Sequence, residues 1–340
     1  MLAVTVVAFA LAAAPTPPAK TWTIPLPGES LGDKPGVTGV VRVHRGMGPA
    51  KPNGLLPRDV FVWLPRGYDN VMKADQRYPV LYMHDGQNCF DPASAFLGRE
   101  WHADEIADAL LMKGDLPPII IVAVANTPER VADYTPDTDP QEHRTDHKPQ
   151  GKGGEGARYV DWIATELKPF IDAHYRTLRG PESTGILGSS LGGIISLAAA
   201  ERHPEVFGCV AAVSPSLWWN GGSVIERWRT KPPEIRRLWI DMGDQERAGL
   251  TDELRRFEKA VQPVYGARMH AEVIPGGRHD EPSWSARLGR ILTFLFAEKD
   301  WQRVAPPEPV PPAEEPKSAQ GPAPAAKPGQ APGSAPASTK

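Results

Sequence analysis

The stretch Thr184-Gly185-Ile186-Leu187 runs into Gly188-Ser189-Ser190-Leu191-Gly192-Gly193 and then into a helical pattern that ends near Arg202. A short strand, a glycine-bracketed serine and a helix, in that order, predict a sharp strand-to-helix turn with Ser190 at its apex. Glycines two residues to either side of Ser190 suit a turn in which side chains would collide with neighbouring backbone. A helix starting at Leu191 points free N–H groups toward whatever lies above Ser190. Ser189, off the apex, is expected to face the interior.

Outward from this turn, strands and helices alternate. Pro79–Met83 (PVLYM), Pro118–Ala125 (PIIIVAVA), Cys209–Val213 (CVAAV) and Leu238–Met242 (LWIDM) are short apolar runs, as in strands covered on both faces. Met269–Ile274 reads as the last strand. Gly39–His44 and Asp59–Leu64 read as an antiparallel pair feeding the sheet. Helical spacing marks Glu100–Met112, Glu155–Tyr175, Thr251–Gln262 and Pro282–Ala297, with Pro169 predicting a kink or two abutting helices. The fold class is α/β: a mostly parallel central sheet with helices on both faces, in a single domain. In such sheets ligands bind at the carboxyl ends of the strands.

The two ends differ from this block in composition. Leu2–Ala14 is almost wholly apolar, yet as a helix it would span only about 20 Å of a roughly 30 Å bilayer core. Ala12-Ala13-Ala14 before a proline-rich stretch reads as a signal-peptide cleavage signature, although no Lys or Arg precedes the apolar run. Residues 1–19 are therefore expected to be a signal peptide and short leader, with a periplasmic or secreted destination and no integral membrane span. Residues 304–340 hold 11 of the 38 prolines and no aromatic residue, so a disordered Pro/Ala-rich tail is expected there. The domain is placed at residues 20–303.

Charge and cysteine content exclude some functions. With 38 basic against 41 acidic residues, the chain lacks the surplus of a nucleic-acid-binding module. Two cysteines cannot build a disulfide scaffold or a four-cysteine zinc site. Cys89 and Cys209 should lie at opposite edges of the sheet, too far apart to bond.

A nucleophilic Ser190 needs a base within hydrogen-bond reach. In this fold class the order along the chain is nucleophile, acid, histidine. His270 and His279 alone follow both a nucleophile and a plausible acid. His270 lies inside a strand; His279 lies in the loop PGGRHDEPSW and is the expected base. The acid should follow LWIDM, where Asp244 and Glu246 are both in the loop and Asp241 is a poor candidate inside the strand. Residue chemistry alone leaves Asp244 and Glu246 open.

Further residues carry a family likeness. Tyr82-Met83-His84-Asp85-Gly86-Gln87-Asn88-Cys89-Phe90-Asp91, Glu100-Trp101, Glu166–Asp172, Gly188–Gly193, Ser214-Pro215-Ser216 and Gly277–Trp284 occur in that order. From about Arg42 to Phe296 the chain resembles the esterases that include enterochelin esterase-like proteins. More distantly it resembles S-formylglutathione hydrolase (esterase D), feruloyl esterases and mycobacterial mycolyltransferases. The resemblance implies an α/β-hydrolase with a Ser/His/acid mechanism and no cofactor. It implies Glu246 as the acid, in a G-x-x-[DE] position, with Asp244 as alternative. It places oxyanion donors at the backbone N–H of Leu191 and of Gln87, with Gly86 close behind. Cys89 stands where the family usually has Leu.

Trp101, Trp218 and Trp219 fall after strands and are candidates for an aromatic wall against an aryl or acyl group. Asn126–Gly156 is long and polar, as lids or mobile loops are. Arg130 within it suits a substrate anion or a surface salt bridge equally. His143, Asp146 and His147 match no strong ligand spacing, so no metal is expected. The expected partner is a small-molecule ester, aryl or siderophore-like. The alternative from another class is a catalytically silent carbohydrate- or protein-binding module on the same scaffold.

Overall fold

Alternate residues of each strand serve two different cores, and this alternation fixes the layers. The computed structural model describes residues 22–23, 37–140, 144–145, 148–149 and 152–297. Residues 1–19 and 304–340, for which a leader and a tail are expected, and His143, Asp146 and His147, lie outside the described residues. Among the described residues nine strands form one sheet: β1 (Trp22–Thr23), β2 (Val40–Met47), β3 (Arg58–Leu64), β4 (Val80–His84), β5 (Ile120–Val124), β8 (Thr184–Ser189), β9 (Cys209–Val213), β10 (Arg237–Gly243) and β11 (Met269–Ile274). Between β5 and β8, a separate hairpin pairs β6 (Arg144–Thr145) with β7 (Lys148–Pro149).

The strand order is β1-β2-β3-β5-β4-β8-β9-β10-β11. From β5 to β11 all neighbours run parallel, while β1, β2 and β3 add an antiparallel edge. Every residue of β4, β5, β8 and β9 is buried, as the unbroken apolar runs require. On one face Leu81, Met83, Leu187, Ala211 and Trp239 pack with α1 (Ala103–Lys113) and α8 (Glu281–Phe296). On the other, Val80, Tyr82, Ile186, Val210 and Ile240 meet the remaining helical layer. That layer includes α3 (Gly156–Trp162), α5 (Leu191–Arg202), α6 (Ser223–Thr230) and α7 (Leu250–Tyr265).

Pro169 acts as its position predicts, by a specific device. Between α3 and α4 (Lys168–His174) the chain widens into a π-helical turn over Ile163–Leu167. Pro169 then sits in the first turn of α4, where its missing N–H and bulky ring are tolerated.

The described parts of Asn126–Gly156 are tied down rather than free. Asp133, in the single turn α2 (Arg130–Asp133), pairs with Arg58 at 2.8 Å with neither side chain exposed. Thr135 Oγ1 accepts from Gly154 N at 2.8 Å. Cys89 and Cys209 are buried free thiols, one beyond the carboxyl end of β4 and the other at the start of β9.

Candidate active site

Ser190 sits between β8 and α5 with φ 58° and ψ −121°, a conformation few non-glycine residues adopt. The turn is tight enough that a Cβ on Gly188 would lie 2.6 Å from the Gly192 carbonyl. Its backbone is pinned on both sides: Ser190 N donates to Val213 O, and Ser216 N donates to Ser190 O, each at 3.0 Å. Ser189 is buried within β8. The structure thus lifts Ser190 over the carboxyl end of the sheet.

The loop after β11 brings His279 to the same place. Asp280 caps α8 by accepting from Ser283 N at 3.0 Å, which fixes where the loop ends. His279 Nε2 lies 2.9 Å from Ser190 Oγ, and Nδ1 lies 2.6 Å from Glu246 Oε2. The Glu246 side chain is 0% exposed and that of His279 41%. The two loops meet because Gly243, at the end of β10, packs against Gly277, in the loop just after β11: a Cβ on Gly243 would lie 2.2 Å from Gly277 O. Asp244 is occupied elsewhere, its Oδ1 accepting from Gly276 N at 2.8 Å. Burial alone would raise the Glu246 pKa. Hydrogen bonds from His279 and Ser214, the His279 charge and the Gly243 N–H outweigh it and hold the carboxyl below its ordinary value.

Behind Glu246 stands a buried polar network in which Ser214 and Trp284, both part of the family likeness, meet Asp241 and Arg287, and nothing in the sequence tied these four together. Ser214 Oγ donates to Glu246 Oε1 at 2.5 Å and accepts from Arg287 Nη2 at 2.6 Å and Trp284 Nε1 at 3.1 Å. Arg287 pairs with Asp241 at 3.1 Å, neither side chain being exposed. Asp241 also accepts from Trp239 Nε1 at 2.7 Å and Ser214 N at 3.1 Å. One signal was available: Arg287 falls three residues after Trp284 on the apolar side of α8, where a charge requires a buried partner.

The loop after β4 is braced in the same manner. Asp85, at φ 55°, is buried. Its carboxylate accepts two bonds from Arg130, at 2.7 and 2.8 Å, and one from Asn126 Nδ2 at 2.6 Å. Arg130 therefore makes a bidentate, part-buried ion pair within the site loop. Gly86–Asn88 form a single 3₁₀ turn, with Gln87 Oε1 accepting from Asn126 N at 3.1 Å. Because β4 and β8 are neighbours, this turn and Leu191 at the start of α5 lie at the carboxyl ends of adjacent strands.

The three tryptophans differ in setting. Trp101 is 2% exposed and stacks on Trp284 at 5.9 Å, and Trp284 meets His279 edge-on at 5.1 Å. Trp219 is buried and donates to Asp137 O at 2.7 Å. Trp218 is half-buried, with the Arg247 guanidinium 5.2 Å above its ring. A cavity of about 590 Å³ opens beside the Gly86–Gln87 turn, against Val41, Phe61, Phe90 and Ala125. Ser190 and His279 are not among its lining residues. Among the described residues, Glu100, His102 and Glu105 form a group able to hold a metal ion, outside the Ser190 site.

Comparison with known proteins adds to this geometry. The esterase family model matches residues 56–295, more than half of the chain. The uncharacterized protein YbbA of Bacillus subtilis is 26% identical over 191 residues, which are 55% of this chain and 70% of that protein. The siderophore triacetylfusarinine C esterase of Aspergillus fumigatus is 28% identical over 261 residues, 66% of this chain and 82% of that protein. Among solved structures, the BES protein from Bacillus cereus superposes with a TM-score of 0.59 at 22% identity, covering 75% of this chain and 96% of that one. That last likeness supports the α/β-hydrolase fold.

Proposed function

The chain belongs to the esterase family and is a carboxylic ester hydrolase, and on that premise we propose that it works through an acyl-enzyme on Ser190. His279 is the base and Glu246 the orienting acid. The observation that carries this reading is the unbroken relay from Ser190 Oγ through His279, at 2.9 Å and 2.6 Å, to the buried Glu246 carboxylate.

In this mechanism Ser190 Oγ attacks the ester carbonyl carbon and its proton passes to His279 Nε2. Glu246 accepts the Nδ1–H bond, which fixes the tautomer and stabilises the imidazolium. The oxyanion takes hydrogen bonds from the backbone N–H groups of Leu191 and Gln87, each worth about 2.7–4 kcal/mol in comparable enzymes. When the tetrahedral adduct collapses, the His279 proton goes to the departing alkoxide and the acyl group stays on Ser190. Water then repeats the sequence, losing its proton to His279, which returns it to Ser190 Oγ as the carboxylic acid leaves.

The substrate class we propose is an aryl or siderophore-like ester, in the periplasm or outside the cell. The Aspergillus protein named as a siderophore esterase supports the class. The half-buried Trp218 under Arg247 offers an aromatic surface beside a positive charge. The apolar Leu2–Ala14 run supports export. Hydrolysis of p-nitrophenyl acyl esters, methyl ferulate and a tricatecholate lactone by the full chain tests the proposal. Turnover of at least one should fall by at least about a thousandfold in Ser190→Ala. Unchanged turnover in that variant would overturn it.

A further inference from the structure

At the head of α1, around Trp101, three donor side chains converge; of their contacts, His102 Nδ1 with Glu105 Oε1, at 3.4 Å, has hydrogen-bonding geometry. The ligand atoms of Glu100, His102 and Glu105 all lie within 4.8 Å of one another. His102 Nδ1 is 3.3 Å from Glu100 Oε1 and 3.4 Å from Glu105 Oε1. Four ligands tetrahedral around zinc at about 2.1 Å would sit about 3.4 Å apart. The Glu100 side chain is only 3% exposed, and its Oε2 is buried with no hydrogen-bond partner. Glu105 Oε2 also lacks a hydrogen-bond partner, although that side chain is partly exposed and its carboxyl lies against that of Asp104. Two neighbouring carboxylates with orphaned buried oxygens are costly unless a proton or a cation neutralises them. A protonated His102 would supply one charge, but it would leave Glu100 Oε2 unpaired.

We propose that Glu100, His102 and Glu105 form a binding site for a divalent transition-metal cation of the zinc or manganese class. One imidazole with two carboxylates suits those ions better than the all-oxygen preference of calcium or magnesium. His102 binds through Nδ1; its side chain is 54% exposed, which leaves room for water to complete the coordination. The ion would be structural: Trp101, between two of the ligands, stacks on Trp284, which meets the His279 ring edge-on. Holding the Glu100–Ala103 turn therefore holds the support behind His279.

Calorimetric titration of the chelator-stripped full chain with zinc chloride, manganese chloride and magnesium chloride tests this. The expected result is uptake of one equivalent of zinc or manganese, with a raised melting temperature and negligible magnesium binding. His102→Asn keeps a side chain that tolerates the left-handed backbone at φ 50°, and should weaken uptake at least about tenfold. Glu105→Gln, on a partly exposed side chain, should do the same. Circular dichroism checks that both variants fold. Absence of uptake by the folded wild type, or uptake undiminished in both variants, would overturn the proposal.

Discussion

The carboxylate of Glu246 is gripped from behind by Ser214: Oε1 accepts the Ser214 hydroxyl at 2.5 Å while Oε2 faces His279 Nδ1 at 2.6 Å. Ser214 is itself held by Arg287, and Arg287 by the buried Asp241. Burying such a pair gives little net stability. Its effect here is positional, because it fixes the hydroxyl that aims Glu246.

Ser214→Ala should therefore lower kcat with little change in KM, since Ser214 is the support for Glu246 in this account. The variant removes a donor to a charged group and leaves Arg287 with one fewer acceptor. A cost of about 1–3 kcal/mol corresponds to a fall of roughly 5- to 150-fold in kcat. Steady-state kinetics on the best ester substrate measures it. A kcat within twofold of the wild type would mean that Glu246 is aimed by other contacts.

The two loop carboxylates should separate cleanly. Glu246→Gln removes the acceptor of the His279 Nδ1 proton, and loss of such an acid can cost on the order of 10⁴ in serine proteases. Asp244→Asn alters a carboxylate bonded to Gly276 N and Gln245 Nε2. The expected outcome is a kcat at least about tenfold lower in Glu246→Gln than in Asp244→Asn, with both folded by circular dichroism. The reverse order would transfer the role to Asp244.

Arg130 should act through the loop that carries Gln87. Its guanidinium grips both oxygens of Asp85, at 2.7 and 2.8 Å. Arg130→Ala should lower kcat about tenfold or more, and Arg130→Lys should restore little, because an ammonium cannot reproduce the planar bidentate contact. Full rescue by lysine would show that charge alone suffices there.

The buried His44 gives a pH signature. Burial, then the charges of His174 and Arg42, push its pKa down to about 4 from an ordinary 6.5. In the unfolded chain it protonates near 6.5; in the folded chain it stays neutral until about pH 4. Its contribution is therefore fully present above 6.5 and is lost as pH falls toward 4, at up to about 1.4 kcal/mol per pH unit. Glu100, raised by burial to about 7, changes stability in the opposite direction over much of this window, so a mutant difference is the right readout. Urea unfolding at pH 7 and pH 5 should show His44→Gln less destabilising at pH 5. An unchanged difference would contradict the neutral assignment.

Local patterns made much of the architecture legible. The apolar runs around Leu81, Val122 and Ala211 became strands covered on both faces, and the GSSLGG turn became the positive-φ apex at Ser190. His279 could be selected because chain order and loop position both limit the choice. The resemblance favoured Glu246, whereas spacing alone left Asp244 beside it. What stayed hidden depends on contacts between distant segments. Asp241 looked like an unremarkable strand residue; it holds Arg287, 46 positions later, inside the core. Arg130 fitted a substrate anion or a surface pair equally well until Asp85 was seen to be buried against it. Trp101 and Trp219 looked equivalent to Trp218, yet both indoles pack inward. Burial of that kind is decided by contacts between distant segments, Trp284 of α8 against Trp101 and Asp137 against Trp219, which no local pattern encodes.

The most direct test of the central claim is fluorophosphonate labelling of the full folded chain, read by peptide mass spectrometry. One equivalent of probe should attach to Ser190, with labelling abolished in Ser190→Ala and slowed at least about a hundredfold in His279→Ala. No adduct on the folded chain, or an adduct on Ser189 or Ser216 in place of Ser190, would contradict the account.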